Sequence, residues 1–229
     1  MTTVNFIGKI VEEYVNQEKS QSITELFKDA EERTYLKGDS IVFANHDPDG
    51  VFLLLDGIVE QYDITPDGNK IVVNMFKRSS FFPMSWAINR TPNVYFYAAL
   101  TDVRLKRLPA PVVVDFLHTH PEVAFDLLSR VYKGTDALLR RLTLAAGGIA
   151  SSRLIFELLI EGHRFGADIG DNLKLITIKQ SSLAARSGLA RETVSRELHK
   201  LERGGLLTLT KQGITLDVAK LEEQLTFSV

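Results

Sequence analysis

The residues best suited to chemistry lie between Lys179 and Arg203, in the run KQSSLAARSGLARETVSRELHKLER. Arg191, Glu192, Ser195 and Arg196 share a polar face with His199 and Lys200 if this run is helical. Arginine forks onto the O6 and N7 of guanine, and glutamate accepts from the amino group of cytosine. Those four residues are therefore candidates for contacts with DNA bases. Val194, Leu198 and Leu201, spaced four and three apart, form the apolar face that would anchor such a helix. Gly188 separates it from an earlier helix-like half, where Leu183 and Ala184 are the expected buried positions. Two short helices about a glycine is the helix-turn-helix plan, whose second helix lies in the major groove. Gln180, Ser181, Ser182 and Lys200 are candidates for phosphate contacts, which position without specifying. The plain alternative is a solvated charged helix in any small bundle, because this spacing arises readily by chance.

The elements that must position these residues are visible around them. Ser151 and Ser152 are candidate caps for a helix, RLIFELLIEG, that would pack against the helix pair. LKLITI reads as a strand leading into the pair, and LLTLTKQGITL as a hairpin turning at Gln212-Gly213. Asp217 would cap a last helix containing Leu221 and Leu225. Further back, Pro121 opens a long helix with Glu122 near its positive end. Apolar residues then recur at Val123-Ala124, Leu127-Leu128, Val131, Leu138 and Leu142, close to a coiled-coil seam. Gly134 weakens this helix internally, and Gly147-Gly148 ends it as the expected hinge and domain boundary.

From Arg33 to Leu108 the period changes to short β-rich runs separated by turn residues, such as Thr65-Pro66-Asp67-Gly68. Many short strands at regular spacing indicate a barrel or jelly roll. Before them, residues 4–17 carry a helical apolar pattern, and Ser22 with Glu25 has capping-box form.

Composition excludes several classes. The chain of 229 residues has no cysteine, so disulfides, a catalytic thiol and thiolate-held clusters are ruled out. Net charge is −2, yet the stretch from 179 to 211 is locally basic through Lys179, Arg186, Arg191, Arg196, Lys200, Arg203 and Lys211. That local excess suits a phosphate surface. No apolar run reaches the roughly 18 residues of a membrane span, and the start lacks a signal-peptide pattern. A cytoplasmic location without membrane contact is the default. The five histidines are scattered, so neither a metal site nor the metal-dependent enzyme sometimes built on a β-roll is expected.

Arg191-Glu192-Thr193-Val194-Ser195-Arg196, with Gly188 before it and Gly204-Gly205-Leu206-Leu207 after it, resembles the winged helix of the Crp/Fnr transcription regulators. Gly38-Asp39, Asp56-Gly57 and Asp67-Gly68 fall at turns of that family's sensor roll. The resemblance implies an α+β chain in three parts: a β-roll sensor domain over 1–120, a dimerisation helix over 121–146, and a winged helix-turn-helix over 147–229. It implies a homodimer on an inverted repeat of double-stranded DNA, with RNA polymerase as a further partner. One departure is Ala190, where the family usually places a serine that caps the recognition helix.

A second departure concerns the effector. The family's cyclic-nucleotide cassette has Gly, Glu and Arg where this chain aligns Pro83, Met84 and Val94. An anionic phosphate would be left buried and unpaired, so cyclic AMP is not expected, and no other cofactor is assigned. Leu138 and Leu139 stand where cyclic-AMP-binding members place the Thr-Ser pair that meets the purine. Met84, Trp86, Tyr95 and Tyr97 could instead line an apolar pocket for another effector, with Arg90 and Leu138 nearby. A roll filled by its own side chains, in a regulator that needs no effector, is the alternative.

Overall fold

The computed structural model describes residues 21–226, and the helix expected over residues 4–17 lies outside them. The chain forms two compact units, one ending at Ser129 and the other beginning at Arg130.

The first unit opens with helix α1 (Gln21–Leu26). Glu25 pairs with Lys28 at 3.2 Å; the Ser22 side chain of the expected capping box lies outside the described residues. Eight strands follow: β1 (Glu31–Tyr35), β2 (Ser40–Val42), β3 (Val51–Asp56), β4 (Val59–Ile64), β5 (Lys70–Phe76), β6 (Phe81–Phe82), β7 (Phe96–Ala99) and β8 (Val103–Leu108). They form two antiparallel four-stranded sheets, ordered β1-β8-β3-β6 and β2-β7-β4-β5. The turn between β4 and β5 closes as its composition demands. Gly68 has φ +80°, its N–H donates to the Thr65 carbonyl at 2.8 Å, and Ile64 pairs with Lys70 across the ladder. Gly57 turns β3 into β4 at φ +89°, where a Cβ would sit 2.2 Å from the Asp102 carbonyl oxygen. Only glycine fits there.

Two helices join this unit: α2 (Met84–Asn89) and α3 (Ala110–Thr119). Two apolar clusters hold it together. One gathers Ile23, Phe27, Val51, Leu53, Val113 and Leu117 between the helices and one sheet. The other gathers Phe52, Leu54, Val59, Phe82, Tyr97 and Leu105 between the sheets.

Helix α4 (Pro121–Gly147) is continuous through Gly134 and spans the division between units. Helix α5 (Ala150–Phe165) is buried along most of its length. Its N-cap is Ile149, so Ser151 and Ser152 lie inside the first turn and do not cap it. Ser152 is instead fully buried. Strands β9 (Ala167–Asp168), β10 (Leu173–Ile176), β11 (Leu207–Leu209) and β12 (Ile214–Asp217) form a sheet ordered β11-β12-β10-β9. Between β10 and β11 lie α6 (Gln180–Ser187) and α7 (Arg191–Arg203). Helix α8 (Val218–Thr226) follows, and the Asp217 carboxylate accepts from the Lys220 N–H at 3.1 Å at its start. Among the described residues, no helix is long and apolar enough to cross a membrane.

Candidate nucleic-acid interface

Helices α6 and α7 meet at Gly188, whose φ of +62° ends α6 in the left-handed conformation. A Cβ on Gly188 would fall 2.9 Å from the Arg153 guanidinium. The close approach serves the turn. Arg153 donates to the Ser187 carbonyl at 3.1 and 2.7 Å and to the Gly188 carbonyl at 2.9 Å. These carbonyls end α6 and would otherwise lack partners within it. The Ser187 hydroxyl donates to the Leu183 carbonyl at 2.7 Å.

Helix α7 divides cleanly between its two faces. Val194 and Leu198 are fully buried and Leu201 nearly so, in one core with Leu183, Ala184, Leu154 and Leu158. Arg191, Glu192 and Arg196 are exposed on the first two turns, and Ser195 between them is half-buried. Ala190 is extended at φ −65° and ψ 149° and makes no side-chain cap to the helix. The first N–H groups of α7 therefore receive no side-chain cap from Ala190.

The four expected phosphate contacts divide. Gln180 and Lys200 are exposed, whereas Ser181 and Ser182 are half-buried at the start of α6. Lys200 lies 3.8 Å from Glu197 on its own helix. Arg186 is a correction to the basic surface read from the sequence. It is buried and pairs with Glu161 of α5, so its charge is spent inside the unit. Burial pushes the Glu161 carboxyl above the ordinary glutamate range, and Arg186 only partly offsets it.

The hairpin β11–β12 stands beside α7. Glu202 of α7 accepts from the Leu209 N–H at 2.9 Å and so ties the hairpin to the helix. At the tip, the Thr210 hydroxyl oxygen accepts from the N–H groups of Gln212 and Gly213, both at 3.2 Å. Lys211 is exposed there. Sequence reasoning did not assign roles to Arg153, Glu157, Glu161 and Glu202. Their spacing in a mostly apolar helix, with 153, 157 and 161 four apart, was the available signal for the first three.

The expected effector residues do not form one group in the first unit. Tyr95 and Tyr97 belong with the cluster between the sheets, and Met84 and Trp86 with the cluster beneath α1 and α3. Tyr97 is stacked on Phe82 at 5.3 Å between ring centres, and Phe76 on Phe82 at 4.9 Å. Burial pushes the Tyr97 phenol well above its ordinary range. Arg90 is exposed at φ 54° as the C-cap of α2, and Val94 is exposed as well. Leu138 lies in the second unit and is exposed on α4.

Comparison with known proteins covers both units. Residues 32–120 match the model of the cyclic nucleotide-binding domain, and residues 152–224 that of the Crp-like helix-turn-helix domain. The chain is similar to the global nitrogen regulator of Synechocystis sp. (strain PCC 6803), at 27% identity over 201 residues, 84% of this chain and 88% of that protein. Among solved structures, it is similar to a transcriptional regulator of the CRP/FNR family from Thermus thermophilus. The TM-score is 0.69 at 24% identity, over 87% of this chain and 100% of that one. A CooA mutant from Carboxydothermus hydrogenoformans gives a TM-score of 0.74 at 19% identity, over 98% and 97%.

Proposed function

We propose that this chain, which belongs to the Crp/Fnr family of DNA-binding transcription regulators, works as a homodimer that lays one α7 in each of two successive major grooves. It is a regulator and not an enzyme. The observation that carries the reading is the division of α7. Its anchoring residues are buried while Arg191, Glu192 and Arg196 stand in solvent at the end that would enter a groove. Arg191 and Arg196 suit guanine, Glu192 suits cytosine, and Ser195 between them suits either. Gln180, Ser181, Ser182 and Lys200 would hold the sugar–phosphate backbone.

The homodimer is supported by α4. Phe125, Leu128, Tyr132, Leu139 and Leu142 are 72%, 48%, 64%, 55% and 65% exposed, and they recur at spacings of three, four or the sum of the two. That is the seam of a two-stranded coil, left open in a single chain. Grooves one helical turn apart, roughly 34 Å, would then receive the two copies of α7, so the target is an inverted repeat. RNA polymerase is the natural neighbour of such a DNA-bound dimer.

Control by cyclic AMP does not fit the side chains. Pro83 and Val94 stand at the aligned cassette positions, and the aromatic stack between the sheets fills the roll with apolar contacts. An effector of other chemistry would have to favour one orientation of the DNA-binding parts to act at all.

Fluorescence anisotropy on duplexes selected by the protein tests the reading. Arg191→Ala is expected to cost about 1–3 kcal/mol and relax one base position, whereas Lys200→Ala weakens all sequences alike. Unchanged affinity in both variants would refute the assignment.

A further inference from the structure

Helix α5 carries a charged stripe through an otherwise buried surface. Arg153, Glu157 and Glu161 lie four residues apart and so share one face. Each joins a different neighbour. Arg153 holds the carbonyls at the α6–α7 turn, and Glu161 holds Arg186 of α6. Glu157 reaches in the other direction, to Arg141 of α4. Their fork closes with Nε to Oε1 at 2.6 Å and Nη2 to Oε2 at 2.8 Å. The Glu157 side chain is only 2% exposed.

Between the members of that fork lies the Gly147-Gly148 break. The Gly148 N–H still donates to the Leu144 carbonyl at 2.8 Å, and Leu144 is buried in the same core as α7. A Cβ on Gly147 meets nothing within 4 Å, whereas one on Gly148 would lie 2.6 Å from the Leu144 carbonyl oxygen. Paired glycines leave the backbone free to bend at the break, yet a side-chain bond bridges it. Deep burial of a carboxylate is costly and a fork repays it only with good geometry, and an apolar pair of similar volume is often as stable. Stability alone does not account for the fork.

We propose that the Arg141–Glu157 fork is a latch across the Gly147-Gly148 joint. It fixes the last turns of α4 on α5 and, through the Arg153 and Glu161 rungs, sets the direction in which α7 faces. Arg141 and Glu157 are positioning residues; neither touches DNA. The proposal rests on the DNA-binding reading for its second arm only.

The full-length protein supports a two-arm test. Hydrogen exchange at residues 142–150 is compared in wild type, Arg141→Lys, Glu157→Gln and the apolar pair Arg141→Met with Glu157→Leu. DNA affinity and thermal unfolding are measured on the same four proteins. Exchange is expected to run roughly tenfold faster in Glu157→Gln and in the apolar pair, with Arg141→Lys between them and wild type. Affinity should fall roughly fivefold or more in the apolar pair even though its unfolding temperature is at or above that of wild type. Should Glu157→Gln fail to fold, the apolar pair and Arg141→Lys decide the question. Wild-type exchange in all variants would overturn the latch. Faster exchange with wild-type affinity in the apolar pair would overturn the positioning role. Absence of DNA binding by the wild type would overturn the DNA-binding reading, and the exchange arm would then judge the latch by itself.

Discussion

On α7 Arg191, Glu192 and Arg196 stand in solvent above a buried row of Val194, Leu198 and Leu201, whereas inside the roll Phe52, Phe76, Phe82 and Tyr97 stack on one another. The two regions use side chains in opposite ways. The helix leaves the Arg191 and Arg196 guanidinium groups exposed at the end proposed to enter a groove. The roll spends its aromatic surface on its own core.

The largest effect that sharpens this contrast is in the roll. Phe52 is fully buried, so Phe52→Ala should cost about 3–5 kcal/mol of stability in thermal or denaturant unfolding. A cost under about 1 kcal/mol would mean that the space is loosely filled and the roll is a cavity after all. Next comes the seam on α4. Leu139→Glu, at a 55% exposed position, should turn the proposed dimer into a monomer by mass and remove tight DNA binding with little change in the unit's own fold. Retention of the dimer mass would move the subunit contact elsewhere.

A smaller effect separates the two glycines at the joint. Gly148→Ala should lower stability because its Cβ strikes the Leu144 carbonyl, whereas Gly147→Ala, which meets nothing, should be neutral or gain a few tenths to about 1 kcal/mol. Equal effects from the two would argue against a joint whose geometry is set at Gly148. The smallest expected change is at the reading helix itself. Ala190→Ser would place an oxygen at an extended N-cap and should stabilise α7 by about 1 kcal/mol. An increase in melting temperature without loss of DNA affinity is the expected result; a loss would show that the bare helix start is used in binding.

Much of this arrangement was legible in the sequence because its signals are local. The three-and-four spacing of Val194, Leu198 and Leu201 set the buried face of α7, and Pro66-Asp67-Gly68 set the hairpin between β4 and β5. The ladder over Lys70–Phe76 and that over Val103–Leu108 fall on the runs that their β-branched residues marked. Helix α3 was not visible in the same way, because Val112-Val113-Val114 reads equally well as a strand. Arg186 could not be placed at all from local pattern. It sits among exposed basic residues in sequence, and only the packing of α6 on α5 turns it inward to Glu161. The grouping of Met84 and Trp86 with Tyr95 and Tyr97 failed for a related reason. Nearness in sequence does not make these residues neighbours in space, because the two pairs pack in different clusters.

The most direct test is selection of binding sites from a pool of random duplexes by wild type and by Arg191→Ala, read by sequencing. The account predicts an inverted repeat with half-sites about one helical turn apart, and loss of preference at one symmetric pair of positions in the variant. Recovery of a single half-site, or of an identical motif from both proteins, would contradict it.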